Sequence, residues 1–281
     1  MIESTLKGYK FSNGPDLVVV RNLAVQPAEI IDSLAGNDVI RGKSKTDNGI
    51  IIKKDGTILT SSGDDLVKGL SLVDSGRGPD DRGHGIHNLA GGVIDTGSGN
   101  DNVYGMGSSR GRAGILTSGL IETGAGDDVI TGLGTLSSGI RVDSGGTLKT
   151  GKGNDTITGS SLNDQFGSAI SVQGGNITMG AGNDLLDVKG GGIYGSGIID
   201  LGKGDDTFSG FVHLGKVQID GGKGSDLLAL PNRSFVVTIF KGIVSFTNGN
   251  RVLEASSFER VSLGGQNFSI PDLINEQVLS V

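Results

Sequence analysis

The sequence predicts an all-β solenoid, a right-handed three-sided parallel β-helix of seven or eight coils with an N-terminal cap and a small antiparallel C-terminal cap. Three observations predict it. The first is a short motif, Gly-x-Gly-(Asn/Asp)-Asp-x-apolar-x-Gly, cleanest from Gly151 to Gly159 and repeated from Gly97, Gly124 and Gly202. Altered copies begin at Gly180 and Gly222, and degenerate ones hold Gly36-Asn37-Asp38 and Gly63-Asp64-Asp65. The second is a period. The second glycines of the copies (Gly36, Gly63, Gly99, Gly126, Gly153, Gly182, Gly204, Gly224) are 27, 36, 27, 27, 29, 22 and 20 residues apart. A repeat of that length marks one supersecondary unit per period. The third is a set of aliphatic columns in register with the motif. Before it stand Ile31, Ile58, Ile94, Ile121, Leu148, Ile177, Ile199 and Ile219, each followed by a residue that is nearly always polar. After it stand Ile40, Val67, Val103, Ile130, Ile157, Leu186, Phe208 and Leu228, and mid-interval Ile50, Ile86, Ile115, Ile140, Ile170 and Ile193. Alternation of inward and outward residues is the signature of strands, and three such columns give three strands per coil.

Composition agrees. Glycine reaches 52 of 281 residues, yet proline is only 5 and there is no collagen triplet. High glycine with a long period fits repeated tight turns. Hydrophobics are 35% and aromatics 4%, which suits a narrow core of Ile, Leu and Val. The intervals lack a 3.6-residue period, which rules against a helical solenoid. The formal charge of -7 argues against nucleic acid and favours a cation as partner. Without cysteine there is neither a disulfide framework nor a thiolate metal site. The first residues lack the basic start and apolar run of a secretory signal, and no apolar run approaches a membrane span.

Taken in order, residues 1–30 hold one apolar run, Leu17 to Val20, expected as a strand over the open end of the stack. Residues 31–230 form the β-helix, with coils stacked at about 4.8 Å so that like residues form ladders. The long interval carries an insertion, Leu72 to His84, and the two short last intervals imply narrower coils lacking a corner loop. After Leu230-Pro231 the pattern stops. Residues 231–281 hold five of the nine phenylalanines, alternate in polarity and contain Asn248-Gly249, a hairpin signal. They read as a C-terminal cap that keeps the last edge from pairing with another chain.

The candidate ion ligands are Asp38, Asp65, Asp101, Asp128, Asp155, Asp184, Asp206 and Asp226. They share parity with the inward column two residues on, so they point into the turn. Two carboxylates about 5 Å apart at an effective dielectric near 20 repel by roughly 3 kcal/mol, so a ladder of eight needs compensation. Calcium takes six to eight oxygens, and glycine turns offer carbonyls beside these carboxylates. The alternative is that each Asp accepts hydrogen bonds from amides of its own turn, with no ion. The neighbouring column, Asn37, Asp64, Asn100, Asp127, Asn154, Asn183, Asp205 and Ser225, reads as solvent-facing.

The motif resembles the calcium-binding nonapeptide of the repeats-in-toxin (hemolysin-type) family, Gly-Gly-x-Gly-x-Asp-x-apolar-x, which Gly221 to Ala229 matches in full. The tail, with Phe258-Glu259-Arg260-Val261, looks like the cap that follows such repeats. In that family nonapeptides run in tandem, two to a coil; here one appears per interval. The resemblance implies a secreted or surface-associated protein that binds calcium through the Asp column. It also implies export by a type I route reading an uncleaved signal within residues 272–281, with folding completed outside the cell. The other reading is an enzyme acting on acidic polysaccharide or a cell-surface glycan through the 80–112 surface. Its candidate residues are Asp80, Asp81, Arg82, His84 and His87, beside Tyr104, Arg110, Arg112 and Arg141, with His87 and Arg141 facing outward on one sheet. Asp, His and Arg together could perform acid–base work on a sugar acid. His213 reads as a lone surface residue.

Overall fold

The computed structural model describes residues 6, 9–72, 83–163, 167–212 and 214–280. The described chain is nearly all β and builds three long sheets, the faces of a three-sided parallel β-helix. Face 1 runs from Leu17–Arg21 through Val39–Ser44, Leu66–Ser71, Asn102–Gly107, Val129–Gly134, Thr156–Ser161, Leu185–Lys189 and Thr207–Ser209 to Leu227–Leu230. Face 2 holds seven short strands from Leu23–Val25 to Ile193–Gly195, and face 3 starts at Ile30–Asp32 and passes through Thr147–Lys152 to Gly215–Asp220. Among the described residues, no helix is long and apolar enough to cross a membrane.

Register follows the columns. On face 1 Ile40 pairs with Val67, Val67 with Val103, Val103 with Ile130, and Ile130 with Ile157. On face 2 Ile50, Ile86, Ile115, Ile140, Ile170 and Ile193 align, and on face 3 Ile31 to Ile199 align likewise. Nearly all are fully buried. The core is therefore three aliphatic ladders meeting on the axis. Truncating one rung, Ile130→Ala, is expected to cost about 2–5 kcal/mol, read as a lower urea midpoint at unchanged m-value.

One corner is pinched shut. Between faces 1 and 2 the inward Gly42, Gly69, Gly105 and Gly132 press on the backbone of Gly49, Gly85, Gly114 and Gly139, leaving no room for a Cβ. In the next coil Gly159 meets Ala169, and in the one after that Val188 takes the inward place. There the corner opens, and face 2 ends at Ile193–Gly195. Among the described residues, the last coil keeps only an isolated bridge, Ile193 to Val212, where that face would continue, in place of a strand.

The ends differ in construction. Leu17–Arg21 pairs in parallel with Val39–Ser44 as the first rung of face 1, so the first coil starts at Leu17. At the other end Arg251–Ser256 and Arg260–Leu263 add parallel rungs to faces 3 and 1, and antiparallel hairpins then turn away from them. Asn248 and Arg251 close one hairpin around Gly249-Asn250, with Gly249 at φ 63°. Phe235, Phe246 and Phe258 are buried beneath this cap.

Candidate metal centre

Each Gly-x-Gly turn places its second glycine at positive φ, 121° at Gly153. A Cβ there would collide with the carbonyl of Gly126 in the preceding coil. Only glycine lets the turns nest this closely. The carbonyls of Gly36, Gly63, Gly99, Gly126, Gly153, Gly182 and Gly204 aim at the next glycine of the stack and, among the described residues, accept no hydrogen bond.

Two side-chain ladders run through these turns in opposite directions. In the inner ladder the backbone N–H of each Asp donates to Oδ1 of the Asp one coil further on. Asp38 donates to Asp65 (2.7 Å), Asp65 to Asp101 (2.8 Å), Asp101 to Asp128 (2.8 Å) and Asp128 to Asp155 (2.9 Å). Asp155, Asp184 and Asp206 continue to Asp184, Asp206 and Asp226 at 2.8 Å each. In the outer ladder the N–H of each solvent-facing residue donates back to the coil before. Asn100 donates to Asp64, Asp127 to Asn100, Asn154 to Asp127, Asn183 to Asn154, Asp205 to Asn183, and Ser225 to Asp205. Adjacent amides of one turn are thus tied to opposite neighbours. The inner carboxylates accept from a neighbouring coil, which corrects the expectation of bonds from amides of their own turn.

The outer column is exposed apart from Ser225, which is half-buried, but it stitches coils together instead of merely facing water. The inner ladder also extends past the eight candidates. Asp16 donates its N–H to Asp38, and the N–H of Asp226 ends on Glu259 Oε2 (2.7 Å). Sequence reasoning missed both ends. Gly14-Pro15-Asp16-Leu17-Val18 is a short copy of the motif, with Gly14 packed on Gly36. Glu259 precedes the rung Arg260–Leu263 just as Asp226 precedes Leu227–Leu230.

All eight inner aspartates are buried, and the Oδ2 of every one has no hydrogen-bond partner. Buried polar atoms are almost always partnered, so eight orphans in a line demand an explanation. Burial pushes the carboxyls of Asp65, Asp155 and Asp206 upward, and lifts Asp101 and Asp184 to about 7 and Asp128 and Asp226 to about 6. Neighbouring carboxylates add to that, while the donated N–H and nearby hydroxyls of Thr96 and Thr123 work against it. Thr60, Thr96, Thr123 and Thr150 stand two residues after the inward Ile58, Ile94, Ile121 and Leu148, lie inside as that alternation predicts, and each donate their hydroxyl proton to a carbonyl of the next coil. Desolvation of a carboxylate can be offset by a proton or by a cation. The donors suit a hard cation: carboxylate Oδ2 atoms without a partner and, in the same turns, glycine carbonyls that accept no hydrogen bond.

The second candidate surface does not assemble as expected. Asp80, Asp81, Arg82 and His213 lie outside the described residues. His87 occupies the outward register of face 2 with Leu116 and Arg141, yet it is buried at 5% exposure. Its ring packs on His84 at 4.9 Å between centroids, and His84 is itself buried, its Nδ1 accepting the Ala113 N–H at 2.9 Å. The turn ahead of Ala113 runs beside His84: Ala113 donates to His84, and a Cβ at Gly83 would meet Arg112. Arg141 pairs with Asp143 at 2.7 Å. Tyr104 belongs to face 1, where Lys68 Nζ stands 4.5 Å from its ring centre. The expected residues are therefore divided between two faces and the interior. No family model, no curated protein and no solved structure matches the chain.

Proposed function

We propose that the chain is a calcium-dependent β-helix of the cell surface or extracellular medium, a scaffold whose coils lock together when ions neutralise the buried Asp ladder. The single observation that carries this reading is the row of eight buried Oδ2 atoms without a partner. Asp38, Asp65, Asp101, Asp128, Asp155, Asp184, Asp206 and Asp226 would hold the ions, and the glycine carbonyls of the same turns would add neutral ligands. A bound cation supplies charge that eases the desolvated carboxylates. The residues themselves keep the coils in register through Oδ1 and leave Oδ2 for the ion. Because the ladder spans successive coils, binding free energy becomes folding free energy. A chain of this kind is less stable where calcium is scarce and firmer where it is plentiful, which suits the type I export implied by the resemblance to repeats-in-toxin proteins.

The test is thermal unfolding near neutral pH in calcium, in magnesium and in chelator. A site occupied at a hundred times its Kd adds about 2.7 kcal/mol, so two or more sites should raise the melting temperature by about 10 °C or more. Magnesium, which demands tighter octahedral geometry, should add much less. Superimposable melts in calcium and chelator, with no heat on calcium titration, would sink the reading.

A further inference from the structure

The corner between faces 1 and 2 is sealed by glycine along most of the solenoid and opens only near its C-terminal end. Val188 fills the inward place that glycine holds in earlier coils, and face 2 stops one strand later. Between those strands the chain turns through Gly190, Gly191 and Gly192, at φ 65°, 70° and 70°. Among the described residues, none of these three amides donates to a protein acceptor. The turn borders a cleft of about 280 Å³. Val188, Phe211 and Val212, all buried, give it an apolar floor. The C-terminal cap supplies its far wall, including Arg233 and Arg251.

What sets these two arginines apart is their place, together on the wall of one cleft. Four cations are held in ion pairs, Arg141 with Asp143, Lys149 with Glu122, Lys189 with Asp187, and Lys216 with Glu254, and none of them lines the cleft. Among the described residues, no hydrogen bond or ion pair holds the guanidinium of Arg233 or of Arg251, and no acidic residue lines the cleft. On a chain of net charge -7, two guanidiniums and three turn amides that have no acceptor among the described residues form a local anion-attracting site. Guanidinium presents a planar fork matched to carboxylate. The floor adds room for a small apolar body, as ligand sites with few convergent polar groups do.

We propose that this cleft binds small organic carboxylates, the acid held by Arg251 and Arg233 with the glycine amides and the carbon skeleton resting on Val188, Phe211 and Val212. The site lies in a different part of each coil from the Asp ladder and does not depend on it.

The test is isothermal titration of the full chain, in calcium-containing buffer, with benzoate as probe. Benzamide is the uncharged control and inorganic sulfate the control without an apolar body. Benzoate is expected to bind one to one in the millimolar range or tighter, about tenfold or more above either control. Arg251→Ala should lose about tenfold or more in affinity, Arg251→Lys less, and Arg233→Ala several-fold, since hydrogen bonds to a charged partner carry that much. Arg233 is exposed, so its variant keeps the test open should Arg251→Ala fold poorly. Absence of benzoate binding up to about 20 mM, or unchanged binding in both arginine variants, overturns the site. Sulfate binding as tightly as benzoate overturns the carboxylate class.

Discussion

Raising the pH of the cation-free protein from about 4.5 to about 7.5 is expected to lower its melting temperature by about 10 °C. The direction follows from the inner ladder. The carboxyls of Asp101, Asp128, Asp184 and Asp226 titrate near 3.8 in the unfolded chain, but burial lifts them in the folded one, to about 6 for Asp128 and Asp226 and about 7 for Asp101 and Asp184. Between pH 3.8 and 7 the folded chain therefore keeps protons that the unfolded chain has released. Stability is fullest below the unfolded value and drains away as the pH climbs through the folded ones. A tenfold change in proton affinity is about 1.4 kcal/mol, so a total loss of about 4 kcal/mol asks only for part of the lift in these groups. Calcium competes with the protons, and with calcium in excess the profile should flatten or reverse. Asp128→Asn keeps an acceptor at Oδ1 and removes one titration, so it should shallow the cation-free slope. Calorimetry across this pH range, with chelator and with calcium, reads all three. A cation-free melting temperature that climbs steadily toward neutral pH would contradict the account of the ladder.

Gly153→Ala should be among the most damaging single changes, costing about 4 kcal/mol or preventing folding. Its φ of 121° is a conformation side chains rarely adopt, and the added methyl would meet the Gly126 carbonyl. The stacked turns above and below cannot both retreat, because the inner and outer ladders tie each turn to both neighbours. Gly249→Ala separates strain from collision. That glycine has a positive φ of 63° but open space around its Cβ position, so its cost should stay near about 1 kcal/mol. Equilibrium urea unfolding of the two variants measures the contrast. A Gly153→Ala protein as stable as Gly249→Ala would mean the turns are packed more loosely than described.

The architecture was readable because it repeats. One Ile column is weak information, but three columns in register with a glycine motif leave one solution, and Ile40, Ile50 and Ile31 lie on three faces as their spacing implies. The Asp column was readable for the same reason, and so was the inward parity of Thr96 and Thr123. What escaped was whatever breaks the repeat. Asp16 and Glu259 join the ladder from segments where the motif is truncated or replaced. The direction of the N–H donations is set by backbone tilt, which residue types do not encode. His87 holds an outward register and is buried even so, because exposure depends on what covers a face as well as on strand alternation. The arginine-lined cleft depends on Val188 standing where the five preceding coils place glycine, a change whose effect appears only once the corner is built.

Because each coil touches only its neighbours, the molecule has a mechanical axis. Its first rung, Leu17–Arg21, and its final hairpins lie at opposite ends of the stack. Tension applied through those ends would load the rungs one after another instead of shearing them together. Each coil that yields would release about 27 residues, roughly 90 Å of extended chain. The two oppositely directed ladders would act as ratchet teeth along the corner, one resisting separation on each side of every turn. Such a rod gives way in steps, and lengthens under load while the coils behind the break stay folded.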